Sequence, residues 1–242
     1  MIQTIYLIIL TYFLLGGLGF YIINRKKTPK VARESYTKFI AYFFIIHILF
    51  FGITVNPAIF RILAILISGV GLFELFQLFR RNNYKPIGFF AGSIIVFTLL
   101  STGFIFFSKL QKEFILFSFL VLSIFDSFSQ ITGQLWGRKK LVPKISPNKT
   151  VGGLVGGTLV ALASSQLLHS LFPGTALKAL LVATGIVFFA FAGDLAASFY
   201  KRKFNVKNYS HLIPGHGGFL DRFDSLIAGG AWVALSTYLL SL

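Results

Sequence analysis

Long apolar runs separated by short basic loops constrain this chain more than any other feature. The runs fall at about 2–23, 39–55, 58–79, 87–107, 114–133, 151–172, 176–199 and 219–242. Most are close to the ~20 residues that a helix needs to cross ~30 Å of hydrocarbon. The run at 39–55 is the short one and leaves three readings open: tilted, re-entrant, or longer than its apolar core. With 55% hydrophobic residues, 12% charged residues and 30 Phe, the expected fold is all-α, a polytopic integral membrane protein of about eight transmembrane helices. No soluble domain, low-complexity tail or internal repeat stands out, so residues 1–242 read as a single membrane domain.

The loops set an expected orientation. Arg25 to Lys38, Arg80 to Lys85, Arg138 to Lys149 and Lys201 to Lys207 carry most of the Lys and Arg. An eight-span count puts all four loops on one side, the cytoplasmic side by the positive-inside rule, with both termini opposite. A net charge of +16 suggests nucleic acid in a soluble protein. In loops between apolar runs it points instead to phospholipid headgroups and a nucleotide, with no nucleic-acid partner. The first run lacks a basic n-region and a small-residue cleavage site, so it reads as a retained anchor. The absence of cysteine excludes disulfides, thiolate metal sites and cysteine nucleophiles.

The stretch 198–224, SFYKRKFNVKNYSHLIPGHGGFLDRFD, carries the chemistry. It sets Lys201, Arg202, Lys203, Lys207 and Arg222 beside Asp221 and Asp224, around a Pro-Gly-His-Gly-Gly turn. Cations that hold phosphate, carboxylates that hold a divalent metal and a flexible backbone between them suit phosphoryl chemistry. A positive-inside loop explains the lysines but neither the aspartates nor the glycines. Of the seven acidic residues, Glu74, Asp126, Asp194, Asp221 and Asp224 fall near the cytoplasmic ends of their runs. Intramembrane carboxylates cost about 2.5–3.5 kcal/mol at mid-bilayer, so they tend to face a cavity and to function there. For Asp126 or Glu74 alone, a helix-end charge reaching water is the plain alternative.

A second polar stretch spans Gly133 to Gly157. Ser146-Pro147-Asn148-Lys149-Thr150 is expected to open the sixth helix, either as an anion site or as an ordinary capped turn. Gly152, Gly153, Gly156 and Gly157 form a small-residue face that signifies tight helix packing. His47 and His169 read as structural, Trp136 and Trp232 as interface residues, and His216 as a phosphate or proton-handling group.

At these residues the chain resembles the phosphatidate cytidylyltransferase (CDP-diacylglycerol synthase) family. The resemblance rests on Ser198, Lys201, Arg202, Lys207, Pro214, Gly215, His216, Gly217, Gly218, Asp221, Arg222 and Asp224 at the signature's spacing. It extends through Asp194, the Ser-Pro-x-Lys-Thr motif at 146–150, Asp126 and Glu74, covering roughly 70–242 as the catalytic part and leaving 1–56 to topology. Asn208 stands where the signature has Asp, Gly152 where Glu usually follows, and Gln130 near a position often held by Tyr.

The resemblance implies attack of the phosphatidate phosphate on the α-phosphorus of CTP at the cytoplasmic face of a bacterial membrane. It assigns Asp194, Asp221 and Asp224 to Mg²⁺, with a second cation as an option. Lys201, Arg202, Lys207 and Arg222 are implied to hold the triphosphate and the lipid phosphate. Ser198, His216, Gly217 and Gly218 line the phosphate site, and Asp126, Ser146, Lys149 and Thr150 complete it. A homodimer is compatible. The alternatives are a CTP-dependent lipid kinase of the polyprenol or phytol type, and a non-enzymatic transporter or scaffold with a degenerate site.

Overall fold

The computed structural model describes residues 2–25, 27–210 and 217–242. Its helices are α1 (Ile2–Asn24), α2 (Pro29–Val55), α3 (Pro57–Arg81), α4 (Ile87–Phe107), α5 (Lys112–Trp136), α6 (Val151–Leu167), α7 (Ala176–Lys203) and α8 (Leu220–Leu239). They occupy the eight apolar runs, and the all-α membrane architecture stands.

Six of these helices, α1 to α5 and α7, are long and apolar enough to cross a membrane. The other two differ from the expectation for physical reasons. α6 has 17 residues, about 26 Å at the α-helical rise, and gives way to a 3₁₀ turn at His169–Leu171. α8 carries Asp221, Arg222 and Asp224 within its first five residues.

The second run is the long alternative. α2 has 27 residues and begins ten positions before the apolar core, with Pro29 in its first turn. Lys30, Arg33 and Lys38 therefore ride on a helix, and the expected loop of 24–38 contracts to the few residues between α1 and α2. The Ser146–Thr150 stretch also differs. It forms strand β2 (Ser146–Thr150), paired antiparallel with β1 (Lys140–Val142), and the helix opens only at Val151. Thr150 is its cap, accepting from the Gly153 N–H at 3.1 Å, while Ser146 stays on the strand.

α5 and α6 form the most extensive helix pair. A Cβ on Gly153 would lie 2.6 Å from the Ser129 carbonyl, and one on Gly156 2.6 Å from the Thr132 hydroxyl. The glycine face is thus a packing seam, as expected. α8 packs on α7 and α4 and is buried along most of its length. His47 and His169 are tied to the carbonyls of Phe43 and Gly174, consistent with structural roles. Trp136 is 70% exposed. Trp232 instead packs inside, donating to the Val182 carbonyl and stacking on Phe189.

Candidate functional site

Three chain segments converge at one end of the bundle: the end of α7, the start of α8, and the hairpin that leads into α6. They surround a cavity of about 660 Å³. The continuous helix α7 aligns Asp194, Ser198 and Lys201 on one face, since residues three and four apart are neighbours. Ser198 donates to Asp194 at 3.3 Å. Gly193 lets α7 approach α8 closely, because a Cβ there would lie 2.9 Å from the Asp224 carbonyl. Asp194 is within electrostatic reach of both Asp224 and Asp126.

Asp221 has a different environment. One oxygen pairs with Lys201. The other accepts from the Gly218 N–H at 2.7 Å and the Tyr209 N–H at 3.1 Å. Lys201 is only 8% exposed, so the pair is buried, and the Tyr209 ring lies 5.2 Å from the ammonium. Burial, reinforced by nearby carboxylates, pushes the Tyr209 phenol well above its usual range, and its hydroxyl donates to the Ala197 carbonyl. Gly217 has φ +89°, and a Cβ there would lie 2.7 Å from Asn208 Cγ. This position needs glycine for both reasons.

Across the cavity, Lys149 on β2 reaches Asp194 at 2.5 Å and lies over the Phe191 ring. Arg202 fixes the hairpin, donating to the Ile145 carbonyl at 3.1 Å and to the Val206 carbonyl at 2.9 Å. Ser146, Thr150, Lys207, Arg222 and Asp126 also line the cavity. The structure thus brings together Asp126, Asp194, Asp221, Asp224, Ser146, Lys149, Thr150, Lys201, Arg202, Lys207 and Arg222. Ser198 and Gly218 join through their hydrogen bonds, and Gly217 packs beside Asn208. His216 lies outside the described residues.

Sequence reasoning named Glu74 without its role and missed a second group. Glu74 on α3 is fully buried. It accepts from the Ser210 hydroxyl at 2.6 Å, the Phe219 N–H at 2.9 Å and the Leu220 N–H at 2.7 Å. It caps α8 from another helix, which no local pattern signals. The second group is the inner face of α1 and α2. Tyr12, Phe13, Lys38, Phe39 and Tyr42 line the same cavity. Residues judged by topology alone are therefore part of the site.

Among the described residues, no three His, Cys, Asp or Glu side chains come together in a metal-holding group. Asp221 is committed to Lys201 and two N–H groups, so the expected three-aspartate set is not assembled. Asp194, paired with Lys149 through one oxygen, and Asp224 offer hard oxygen donors on the cavity wall. This fits Mg²⁺, which commonly takes one or two carboxylates together with water and phosphate oxygens.

The model of the Cytidylyltransferase family matches residues 110–240, more than half of the chain and all of α5 to α8. The phosphatidate cytidylyltransferase of Rickettsia prowazekii (strain Madrid E) is 31% identical over 217 residues, covering 85% of this chain and 94% of that protein. That of Rickettsia felis is 34% identical over 194 residues, 76% of this chain and 82% of its own length. The Staphylococcus saprophyticus protein of the same name is 43% identical over 130 residues, but that match spans 52% of this chain and 50% of the relative.

Proposed function

The chain belongs to the cytidylyltransferase family, and on that premise we propose that it transfers the cytidylyl group of CTP to phosphatidate. The products are CDP-diacylglycerol and pyrophosphate, and the setting is a bacterial cytoplasmic membrane with the site facing the cytoplasm. The observation that carries this reading is the cavity itself: fixed cations from α2, β2, α7 and α8 share its wall with Asp126, Asp194 and Asp224. Two polyanions must meet for this reaction, and preorganised positive groups reduce their repulsion without solvent reorganisation.

A lipid phosphate oxygen attacks the α-phosphorus of CTP. One P–O bond forms, the bond to the β-phosphate breaks, and the electron pair leaves on pyrophosphate. The attacking phosphate is already largely ionised near neutral pH, so no external base is needed. Lys149 and Lys201 are held on opposite sides by Asp194 and Asp221 and present fixed charge to the phosphates. Arg222 and Lys207 extend this cationic wall, and Arg202 keeps the hairpin in place. Asp194 and Asp224 would hold Mg²⁺, which would supply Lewis-acid neutralisation of the triphosphate.

The test uses the purified protein in micelles with labelled CTP, phosphatidate and Mg²⁺, and separate detection of each product. CDP-lipid and pyrophosphate should appear in equal amounts. Release of CDP with a phosphorylated lipid would mean a kinase, and no nucleotide turnover would mean a binding or scaffold protein.

A further inference from the structure

The cavity has an arm that the phosphate chemistry does not use. Beyond its charged wall, the same space continues between α1, α2 and α5, whose inner faces line it. Among the described residues, none from α3 or α4 does so. α1 and α2 pack against α5 far less extensively than α6 does, which leaves room between the three helices.

The lining is ordered along these helices. Lys27, just after α1, donates to Gln134 near the end of α5 at 3.2 Å, so the two helices come level at the end that carries the basic hairpin. Lys38 and Gln130, both exposed, stand at the mouth, and Ile9, Ile46, Leu120 and Ile124 lie deeper. Leu120 precedes Asp126 by six positions on α5, about 9 Å farther from the hairpin at the α-helical rise. The two phenols that border the arm are engaged. The hydroxyls of Tyr12 and Ser164 are 2.8 Å apart. Tyr42 donates to the Ser123 carbonyl at 3.4 Å and meets the Ser123 and Ser127 side chains. Ile9, Phe13, Ile45, Ile46, Leu120 and Ile124 offer no side-chain donor or acceptor. A nucleotide base buried among them would lose its hydrogen bonds to water without replacement, which is costly. An alkyl chain loses nothing there.

We infer that this arm holds one acyl chain of the phospholipid substrate, and that Gly16 on α1 sets its width. The inference rests on the cytidylyltransferase reading of the charged wall. Continuity selects the occupant, because apolar lining and reacting groups bound a single space and an amphipathic molecule fills both parts at once. The lipid phosphate lies at the junction near Asp126, within electrostatic reach of Lys149 and Arg222, and the chain runs from there along α5. Gly16 lines the arm opposite Phe39, and a Cβ on it would stand 3.7 Å from that ring, an ordinary contact. Phe13 and Phe20 pack against Phe39 and hold it in place. A methyl group therefore fits at position 16, whereas a larger side chain extends into the space of the alkyl chain.

Gly16→Leu tests this, with Gly16→Ala as the graded variant. Gly69→Leu is the control, since its Cβ meets open space and it lies on α3, outside the cavity lining. Displacing two or three methylenes from apolar contact should lower kcat/KM for dioleoyl phosphatidate, relative to dihexanoyl phosphatidate, about tenfold or more in Gly16→Leu. The ratio should fall much less in Gly16→Ala and keep its native value in Gly69→Leu. On the native protein, a phosphatidate with a diazirine at mid-chain should label α1, α2 and the Leu120–Ile124 part of α5. Excess dioleoyl phosphatidate should suppress this labelling, and excess dioleoyl phosphatidylcholine should not.

A native chain-length ratio in folded Gly16→Leu, or labelling confined to α3 and α4, would overturn the inference. So would equal suppression by phosphatidylcholine, since the arm would then hold bulk lipid and not the substrate. If native protein makes no CDP-lipid from either phosphatidate, the activity reading fails. The competition pattern of the photolabel still decides the arm, as it does if Gly16→Leu does not fold.

Discussion

Replacing Glu74 examines the link between the bundle and its chemistry. The carboxylate is fully buried and accepts three hydrogen bonds, two of them from the first N–H groups of α8. In Glu74→Gln one acceptor oxygen becomes an NH₂ group, so at least one buried N–H loses its partner, at about 1–3 kcal/mol. Loss of the negative charge at the α8 N-terminus removes roughly 0.3–1 kcal/mol more. The variant should therefore be about 1.3–4 kcal/mol less stable in reversible unfolding from micelles. Glu74→Ala, which removes all three bonds and leaves a void, should lose more than this. Because α8 carries Asp221 and Asp224, displacement of its first turn by about 1 Å should lower kcat on the order of 10²-fold. Glu34→Gln, at an exposed position, should stay within about 0.5 kcal/mol of native. Native-like unfolding and turnover in Glu74→Gln would refute the capping argument. So would equal effects of Gln and Ala.

Other expectations follow from the same contacts. Single cysteines at 27, 83, 144 and 205, in a chain with none of its own, should all be modified from one side of the membrane; modification of 27 and 144 from opposite sides would refute the orientation. Asp194→Asn and Asp224→Asn should each lower turnover by about 10³ with little change in abundance, measured by CDP-lipid formation, whereas Lys203→Ala should be far milder. Asp221→Asn should in addition destabilise the protein by about 3–5 kcal/mol, because it leaves Lys201 buried without its counter-charge; an unfolding curve like that of Asp224→Asn would contradict this. Asn208→Asp should change the rate by no more than about tenfold, roughly 1.4 kcal/mol, and a silent native protein that this change activates would mean a degenerate site.

Helix positions were legible because hydrocarbon thickness and apolar run length are tied by backbone geometry. The α5–α6 seam was legible for a similar reason, since glycines four apart share a helix face. Errors arose where polar residues continue a helix past the apolar core. Lys30, Arg33 and Lys38 look like a loop by hydropathy, yet a membrane helix can extend into water with ordinary helical propensity. The β1–β2 hairpin was hidden because its short strands carry no alternating pattern. The catalytic cluster was legible as a list of residue types but not as a set of pairs. Spacing puts Asp221 and Asp224 on one helix face, but it cannot show that Lys201 and two backbone N–H groups take up Asp221. Glu74 was visible as an intramembrane acid, while its partners lie more than 130 residues away in sequence.

These contacts place α8 at the centre of the protein's chemistry. Its first turn is fixed from α3 by Glu74, from α7 by Lys201 through Asp221, and from the preceding loop by the Tyr209 and Gly218 N–H groups. The fixation has a direct consequence for Asp224, one turn further on. Its carboxylate shares the cavity wall with Asp194, Lys201 and Arg222. A first turn held from three sides keeps Asp224 in place without a domain closure. The energetic burden then falls on preorganisation, which buried bonds to Asp221 and Glu74 maintain before any substrate arrives.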